Sequence, residues 1–307
     1  MKMEIKKNTG HPYTNNTKIS EVMQDPVFQG HGRLMFPADR SWCSGNTLGQ
    51  LRLMWYGSPG PDKAAEIANY FRTRAEAGNT IFYDIYTDQE KRLDPYKRDT
   101  GLFFFKGNAG WPFAVCNAGG GFCYVGAMCD SFPQALELSK MGYNAFALIY
   151  RPGAQTACED LARAISFIFA HARELEVSTD DYSLWGGSAG ARMAAWLGSY
   201  GPEAFGGDRL PRPGTVVMQY TGHTDYTRYD PPTYACAGER DGIANWRTME
   251  RRLRKLESLG IDTEFHHYPG LLHGFGLGIG TAAEGWINDA AAFWEKHMTR
   301  KYRRNKR

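Results

Sequence analysis

The pentapeptide Gly186-Gly187-Ser188-Ala189-Gly190 follows the short half-apolar run Tyr182-Ser183-Leu184-Trp185 and opens a helix-favouring stretch through Leu197. A serine at that place demands a turn from strand to helix so sharp that Cβ atoms two residues to either side would collide. Gly186 and Gly190 carry no Cβ, which leaves Ser188 at the tip of the turn with its hydroxyl exposed. A lone G-x-S-x-G arises often by chance. Its meaning depends on the rest of the chain.

From Gly101 onward, short apolar runs alternate with amphipathic stretches, the pattern of an α/β protein whose mostly parallel central sheet is flanked by helices. Strands are expected at 102–105, 113–117, 145–150, 182–185, 215–220, 233–237 and 263–268. Helices are expected near 131–141, 156–175, 189–199, 244–259 and 282–298. The helix at 156–175 repeats Leu161, Ile165, Ile168 and Phe169 at spacings of three or four, and Gly260 is the expected C-cap of the helix at 244–259. Residues 1–100 differ in texture, and 1–78 of them form an irregular extension with one clear helix near 62–76, Asp62 its expected N-cap. A further strand is possible at 81–86. Two readings of the extension stand, core padding or a lid over the catalytic face, because Phe36, Trp42, Trp55, Tyr56, Tyr70 and Phe71 must bury somewhere. Residues 79–298 then form the catalytic domain and 299–307 a basic tail.

Composition excludes several classes. At 42% hydrophobic and 22% charged, the chain reads as an ordinary globular protein. Its net charge of +3 comes from the tail, since residues 296–307 hold seven Lys and Arg and no acid, and the remainder is net acidic. A frayed, solvated terminus explains this better than nucleic-acid binding. The N-terminal lysines are not followed by an apolar stretch, so no secretion signal is expected. The longest apolar run, 145–150, is too short to span a bilayer. Six cysteines with no C-x-x-C pair and no zinc-like spacing read as reduced thiols of a cytoplasmic protein. The glycine-rich run Gly274–Gly280 lacks the strand placement and downstream acid of a dinucleotide site, and no Walker A, HExxH or EF-hand pattern occurs. No metal or organic cofactor is implied.

A serine hydroxyl is a poor nucleophile at neutral pH and needs a base, an acid to orient that base and a site for the oxyanion. Asp241 fits the acid, 53 residues after Ser188 at the end of an expected strand; Glu239 competes with it. His273 fits the base, 32 residues further on, and its order, spacing and loop context favour it over His266 and His267, which lie within a strand. Upstream, Asn117-Ala118-Gly119-Gly120-Gly121-Phe122 follows another apolar strand. Three consecutive glycines let backbone N–H groups approach a substrate oxygen closely, and with Ala189 N–H they would form an oxyanion hole.

The run from Gly119 to Arg151, the turn at Ser188, Asp241 and His273-Gly274-Phe275 together resemble the α/β-hydrolase esterases, above all the bacterial acetyl-xylan and feruloyl esterase-like group related to hormone-sensitive lipase. The resemblance covers roughly residues 80–297. It implies oxyanion N–H groups from Gly120, Gly121 and Ala189, and it matches Tyr150-Arg151-Pro152 to a tyrosine–arginine pair that supports the glycine loop. The chain departs from hormone-sensitive-lipase relatives in having Ala118 before the glycines, Gly187 in place of an aspartate before the serine, and Ala191 after the turn. The interval from Ser188 to Asp241 leaves no room for a cap after the sixth strand, which disfavours bulky lipid substrates.

The expected function is therefore hydrolysis of short acyl esters through an acyl-enzyme, with a small-molecule or oligosaccharide ester as partner. Acetyl groups on plant-derived oligosaccharides are the candidate substrate by family analogy. A prolyl-oligopeptidase-like peptidase or amidase uses the same triad. A noncatalytic binding protein on the same fold is the remaining alternative, though it has no reason to keep four separated catalytic elements.

Overall fold

Several strand candidates are apolar without alternation, which in an α/β protein means burial on both faces. The computed structural model, which describes residues 11–299, has this arrangement. Its main sheet contains β1 (Phe82–Asp84), β2 (Gly101–Phe105), β3 (Pro112–Asn117), β4 (Asn144–Ile149), β5 (Ser178–Gly187), β6 (Thr215–Gln219), β7 (Thr233–Gly238) and β8 (Thr263–Tyr268). The spatial order is β8-β7-β6-β5-β3-β4-β2-β1. Strand β2 runs antiparallel to both β1 and β4, and every other pairing is parallel. All residues of β2, β3, β4, β6 and β7 are buried.

Strand alternation divides the core into two layers. Leu102, Phe104, Phe113, Val115, Phe146 and Leu148 face helices α3 (Ala154–Ala170), α4 (Ala189–Tyr200) and α5 (Trp246–Ser258). Phe103, Phe105, Ala114, Cys116, Ala145 and Ala147 face α1 (Lys63–Glu76), α2 (Ser131–Lys140) and α6 (Trp286–His297). The extension joins this second layer. Ile19, Val22, Phe28, Met35, Phe36, Leu51, Tyr56 and Phe71 are all buried in it, so these side chains complete the core on that face.

Several boundaries differ from the sequence reading for local reasons. The edge strand near 81–86 shortens to Phe82–Asp84. The helix expected at 156–175 breaks at His171 into Ala154–Ala170 and Ala172–Leu175. The last helix starts at Trp286, because the preceding segment carries positive φ at Gly274, Gly276, Gly278, Gly280 and Gly285. Helix α5 begins at Trp246, where the Asn245 side chain accepts from Arg247 N–H. It ends as expected at Gly260, whose φ of 80° permits Ile261 N–H to reach back to Leu256 O. Asp62 sits at the N-cap position of α1 but adopts φ 55° and caps nothing; its carboxylate accepts instead from Asn15 Nδ2. Of the basic tail, residues 300–307 lie outside the described residues.

The loop between β6 and β7 is anchored by a buried ion pair. Arg252 on α5 contacts Asp230, both side chains about 1% exposed, and Arg252 Nε also donates to Asp225 O at 2.8 Å. Removing one partner of such a pair leaves an uncompensated buried charge. Asp230→Ala is expected to lower the unfolding free energy by about 3–5 kcal/mol, measured by urea denaturation. A change below about 1 kcal/mol, the scale of an exposed pair, would show that the pair is not a structural anchor.

Candidate active site

Ser188 joins β5 to α4 with φ 52° and ψ −115°, a conformation that L-residues rarely adopt. The surrounding backbone enforces it. Ser188 N–H donates to Gln219 O of β6 at 2.9 Å. A Cβ on Gly186 would lie 2.3 Å from the Gly190 carbonyl carbon, as the turn argument requires. Gly190 is needed for a different reason: its Cβ would lie 1.9 Å from Asn117 O, so α4 packs directly on the end of β3. Gly187 has a third. A Cβ there would lie 2.5 and 2.6 Å from the carboxylate oxygens of Asp130.

The structure brings the three expected side chains together. His273 Nε2 lies 3.0 Å from Ser188 Oγ, and His273 Nδ1 lies 2.7 Å from Asp241 Oδ2. With Nδ1–H directed at the carboxylate, Nε2 is left to accept the serine hydroxyl proton. The Asp241 side chain is fully buried, and its Oδ1 accepts from both Ile243 and Ala244 N–H at 2.8 Å. Both carboxylate oxygens are thus committed. The loop after β7 is docked on the histidine loop, because Arg240 N–H donates to Leu271 O at 3.0 Å. The competing residues are engaged elsewhere: Glu239 pairs with His267 Nδ1 at 2.6 Å, and His266 with Glu264 at 2.8 Å.

The glycine loop follows β3, and its three N–H groups are not equivalent. Gly119 N–H donates to Asp130 Oδ2 at 2.8 Å. Those of Gly120, Gly121 and Ala189 have no protein acceptor among the described residues. Gly120 (φ 127°) is also indispensable sterically, since its Cβ would fall 2.1 Å from Tyr124 O. Tyr150 Oη donates to Ala118 O at 2.7 Å behind the loop, while Arg151 is locked by Asp160 and Asp94.

The extension reaches this site. A Cβ on Gly121 would lie 3.1 Å from the Trp55 ring, and one on Gly274 would lie 2.2 Å from Trp55 O and 3.0 Å from Tyr56 Cα. Trp55, 40% exposed, therefore stands between the glycine loop and the histidine loop. It groups with Trp42 and Tyr124, the latter pair stacked at 5.1 Å. Beyond Tyr124 a cleft of about 350 Å³ is lined by Phe36, Trp42, Tyr96, Tyr124, Tyr150 and Arg151 among others.

Two residues escaped the sequence reading, Asp130 and Tyr220, and Tyr56 entered it only as one aromatic of the possible lid. Asp130 is fully buried and accepts from Tyr56 Oη (3.0 Å), Tyr220 Oη (2.9 Å), Gln134 Nε2 (3.0 Å) and Gly119 N–H. Burial pushes its carboxyl up to about 6 despite these four donors. The Tyr220 ring packs 5.1 Å from the His273 imidazole. The only sequence signal for Asp130 was the unexplained glycine at 187.

Because a Cβ at 190 would overlap backbone, Gly190→Ala is expected to lower the unfolding free energy by about 1–3 kcal/mol or more, read by chemical denaturation. A variant as stable as the parent would mean that α4 can shift freely from β3.

Comparisons with known proteins agree with this architecture. The BD-FAE family model matches residues 106–211, from just after β2 through the glycine loop and the Ser188 turn. None of the curated proteins compared with the chain matches it significantly by sequence. Among solved structures, the acetyl ester-xyloside bifunctional hydrolase of Caldicellulosiruptor lactoaceticus aligns with a TM-score of 0.62 at 19% identity, over 70% of this chain and 95% of that one. The propionate-bound thermophilic esterase of the planctomycete Thermogutta terrifontis aligns at 0.58 and 20%, over 69% and 91%. A sugar hydrolase of Lactococcus lactis aligns at 0.56 and 20%, over 64% and 94%. The chain has the α/β-hydrolase fold throughout its main sheet, and residues 106–211 match the BD-FAE family model.

Proposed function

We propose that this protein is a serine carboxylic-ester hydrolase acting on short acyl esters. The observation that carries the reading is the continuous relay from Asp241 through His273 to Ser188, with bonds of 2.7 and 3.0 Å. Ser188 Oγ attacks the acyl carbonyl as His273 Nε2 takes its proton. Asp241 holds the imidazole in the required tautomer and stabilises the imidazolium. The carbonyl oxygen becomes an oxyanion facing the N–H groups of Gly120, Gly121 and Ala189, each such donor being worth about 3 kcal/mol in the transition state. His273 then protonates the leaving alkoxide, the alcohol departs, and water attacks the acyl-enzyme by the same relay to release the acid and restore Ser188.

The substrate side follows from what surrounds the serine. The 13-residue loop from 220 to 232 is the whole connection between β6 and β7, and it holds no cap. Trp55 narrows the entrance between the glycine and histidine loops. Its exposed face, backed by Trp42 and the buried Tyr124, suits a sugar or other ring on the alcohol side through stacking. Acetylated plant-derived oligosaccharides fit this description, and a structural relative is itself described as an acetyl ester-xyloside hydrolase. In this reading the extension serves as a fixed lid. A cytoplasmic setting is part of it, supported by the buried thiols of Cys116, Cys129, Cys158 and Cys236. Among the described residues, no helix is long and apolar enough to cross a membrane.

A panel of p-nitrophenyl esters, acetylated xylo-oligosaccharides and aminoacyl-amides tests the proposal. Ester hydrolysis is expected, with Ser188→Ala reduced to background while retaining the parent's melting temperature. Amide cleavage with no ester turnover would favour the peptidase alternative. Within the esters, kcat/KM is expected to be higher for acetyl or propionyl than for octanoyl. A maximum at octanoyl or longer would mean that the pocket is open and lipase-like.

A further inference from the structure

Asp130 occupies the N-cap position of α2, where an aspartate normally accepts the first free helical N–H groups. Here it caps nothing. Its side chain turns into the protein behind the Ser188 turn, where it meets the glycine loop, the extension and the tyrosine that packs on His273. Oδ2 accepts from Gly119 N–H, the first residue of the glycine loop, and from Tyr56 Oη of the extension. Oδ1 accepts from Tyr220 Oη, whose ring packs on His273, and from Gln134 Nε2. Gln134 in turn holds Gln219 Oε1 at 3.0 Å, and the Gln219 backbone oxygen accepts Ser188 N–H. Gln219 Nε2 continues to Gly276 O, three residues beyond His273, at 2.6 Å. Finally, Gly187 has no side chain, and the carboxylate fills the space that one would take.

We propose that Asp130 is the positioning residue of this site, the buried carboxylate that fixes the glycine loop and the histidine loop relative to Ser188; this rests on the ester-hydrolase reading above. Committing Gly119 N–H to Asp130 directs the next two N–H groups, of Gly120 and Gly121, toward the cleft. Acting through Tyr220, whose ring packs 5.1 Å from the imidazole, the same carboxylate buttresses His273. An ionised carboxylate is suited to this task because it is acceptor-only and meets four donors. The carboxyl, pushed up to about 6, remains ionised at neutral pH. Tyr56 brings the extension into the same network, so the sequence before the catalytic sheet helps to build the site.

The test is Asp130→Asn, which keeps the size but turns an NH2 group toward donors. Its melting temperature is expected to fall, because a buried amide donor then faces other donors, with the protein still folded at the assay temperature. The value of kcat for p-nitrophenyl acetate falls about 10²-fold, the cost of a displacement near 1 Å at the reacting centre, while KM changes little. Fluorophosphonate labelling of Ser188 slows in parallel, because the phosphoryl oxygen uses the same N–H groups. Amide hydrogen exchange over residues 119–126 speeds up, and this readout holds whether or not the ester reading is right. Faster exchange without Ser188-dependent ester turnover in the parent would support the positioning role and defeat the ester reading. A folded Asp130→Asn with the parent's kcat, labelling rate and exchange would defeat the positioning role alone. If Asp130→Asn does not fold, Tyr56→Phe decides: loss of one charge-assisted hydrogen bond should lower kcat about tenfold, and an unchanged kcat with unchanged exchange overturns the proposal.

Discussion

One constraint organises this protein: a serine held at φ 52° and ψ −115° where β5 turns into α4. The strain of that conformation is tolerated only because the neighbouring elements fix it from several directions. Gly186, Gly187 and Gly190 each lack a Cβ for a separate reason. At 186 the obstacle is the turn itself, at 187 the Asp130 carboxylate, and at 190 the carbonyl end of β3. The last two obstacles place the glycine loop and its anchor directly against the turn. Compact packing at the serine therefore also brings the glycine loop to it. The same geometry explains why these elements lie at the carboxyl ends of adjacent parallel strands, where the sheet leaves a crevice between diverging loops.

Much of the fold was legible because the central strands are buried on both faces. Runs such as Phe113 to Cys116 and Ala145 to Ile149 are apolar without alternation, and each ends at a glycine or polar turn. Ser188, Asp241 and His273 could be singled out as candidates because each stands in a loop after a strand, in an order that the sheet topology respects. Glu239 could be set aside only in the structure, where it pairs with His267 on the surface. Short or weakly driven elements were harder to read. Strand β1 is a three-residue edge, and the break at His171 interrupts an otherwise regular helical period.

The Asp130 network was not legible for a different physical reason. Its hydrogen bonds to Tyr56 and Tyr220 join residues 74 and 90 positions apart, and no local period records them. An aspartate before a helix reads as an ordinary cap, and a tyrosine in an irregular segment reads as surface or padding. The sequence did carry a trace, a glycine where the resemblance to hormone-sensitive-lipase relatives implies an aspartate, but a missing side chain does not say which residue fills its place. The extension shows the same limit. Its buried aromatics demanded a partner, and only the structure reveals that Trp55 and Tyr56 lie between the two loops that face Ser188.

The central claim is that Ser188 is an activated nucleophile in a formed oxyanion site. Intact-protein mass spectrometry after reaction with a fluorophosphonate tests it most directly, because the reagent requires both the activated hydroxyl and the surrounding N–H groups. The account predicts one adduct per chain, mapped by peptide analysis to Ser188 and absent from Ser188→Ala. An adduct on another residue, or labelling that persists in the folded Ser188→Ala protein, would contradict it.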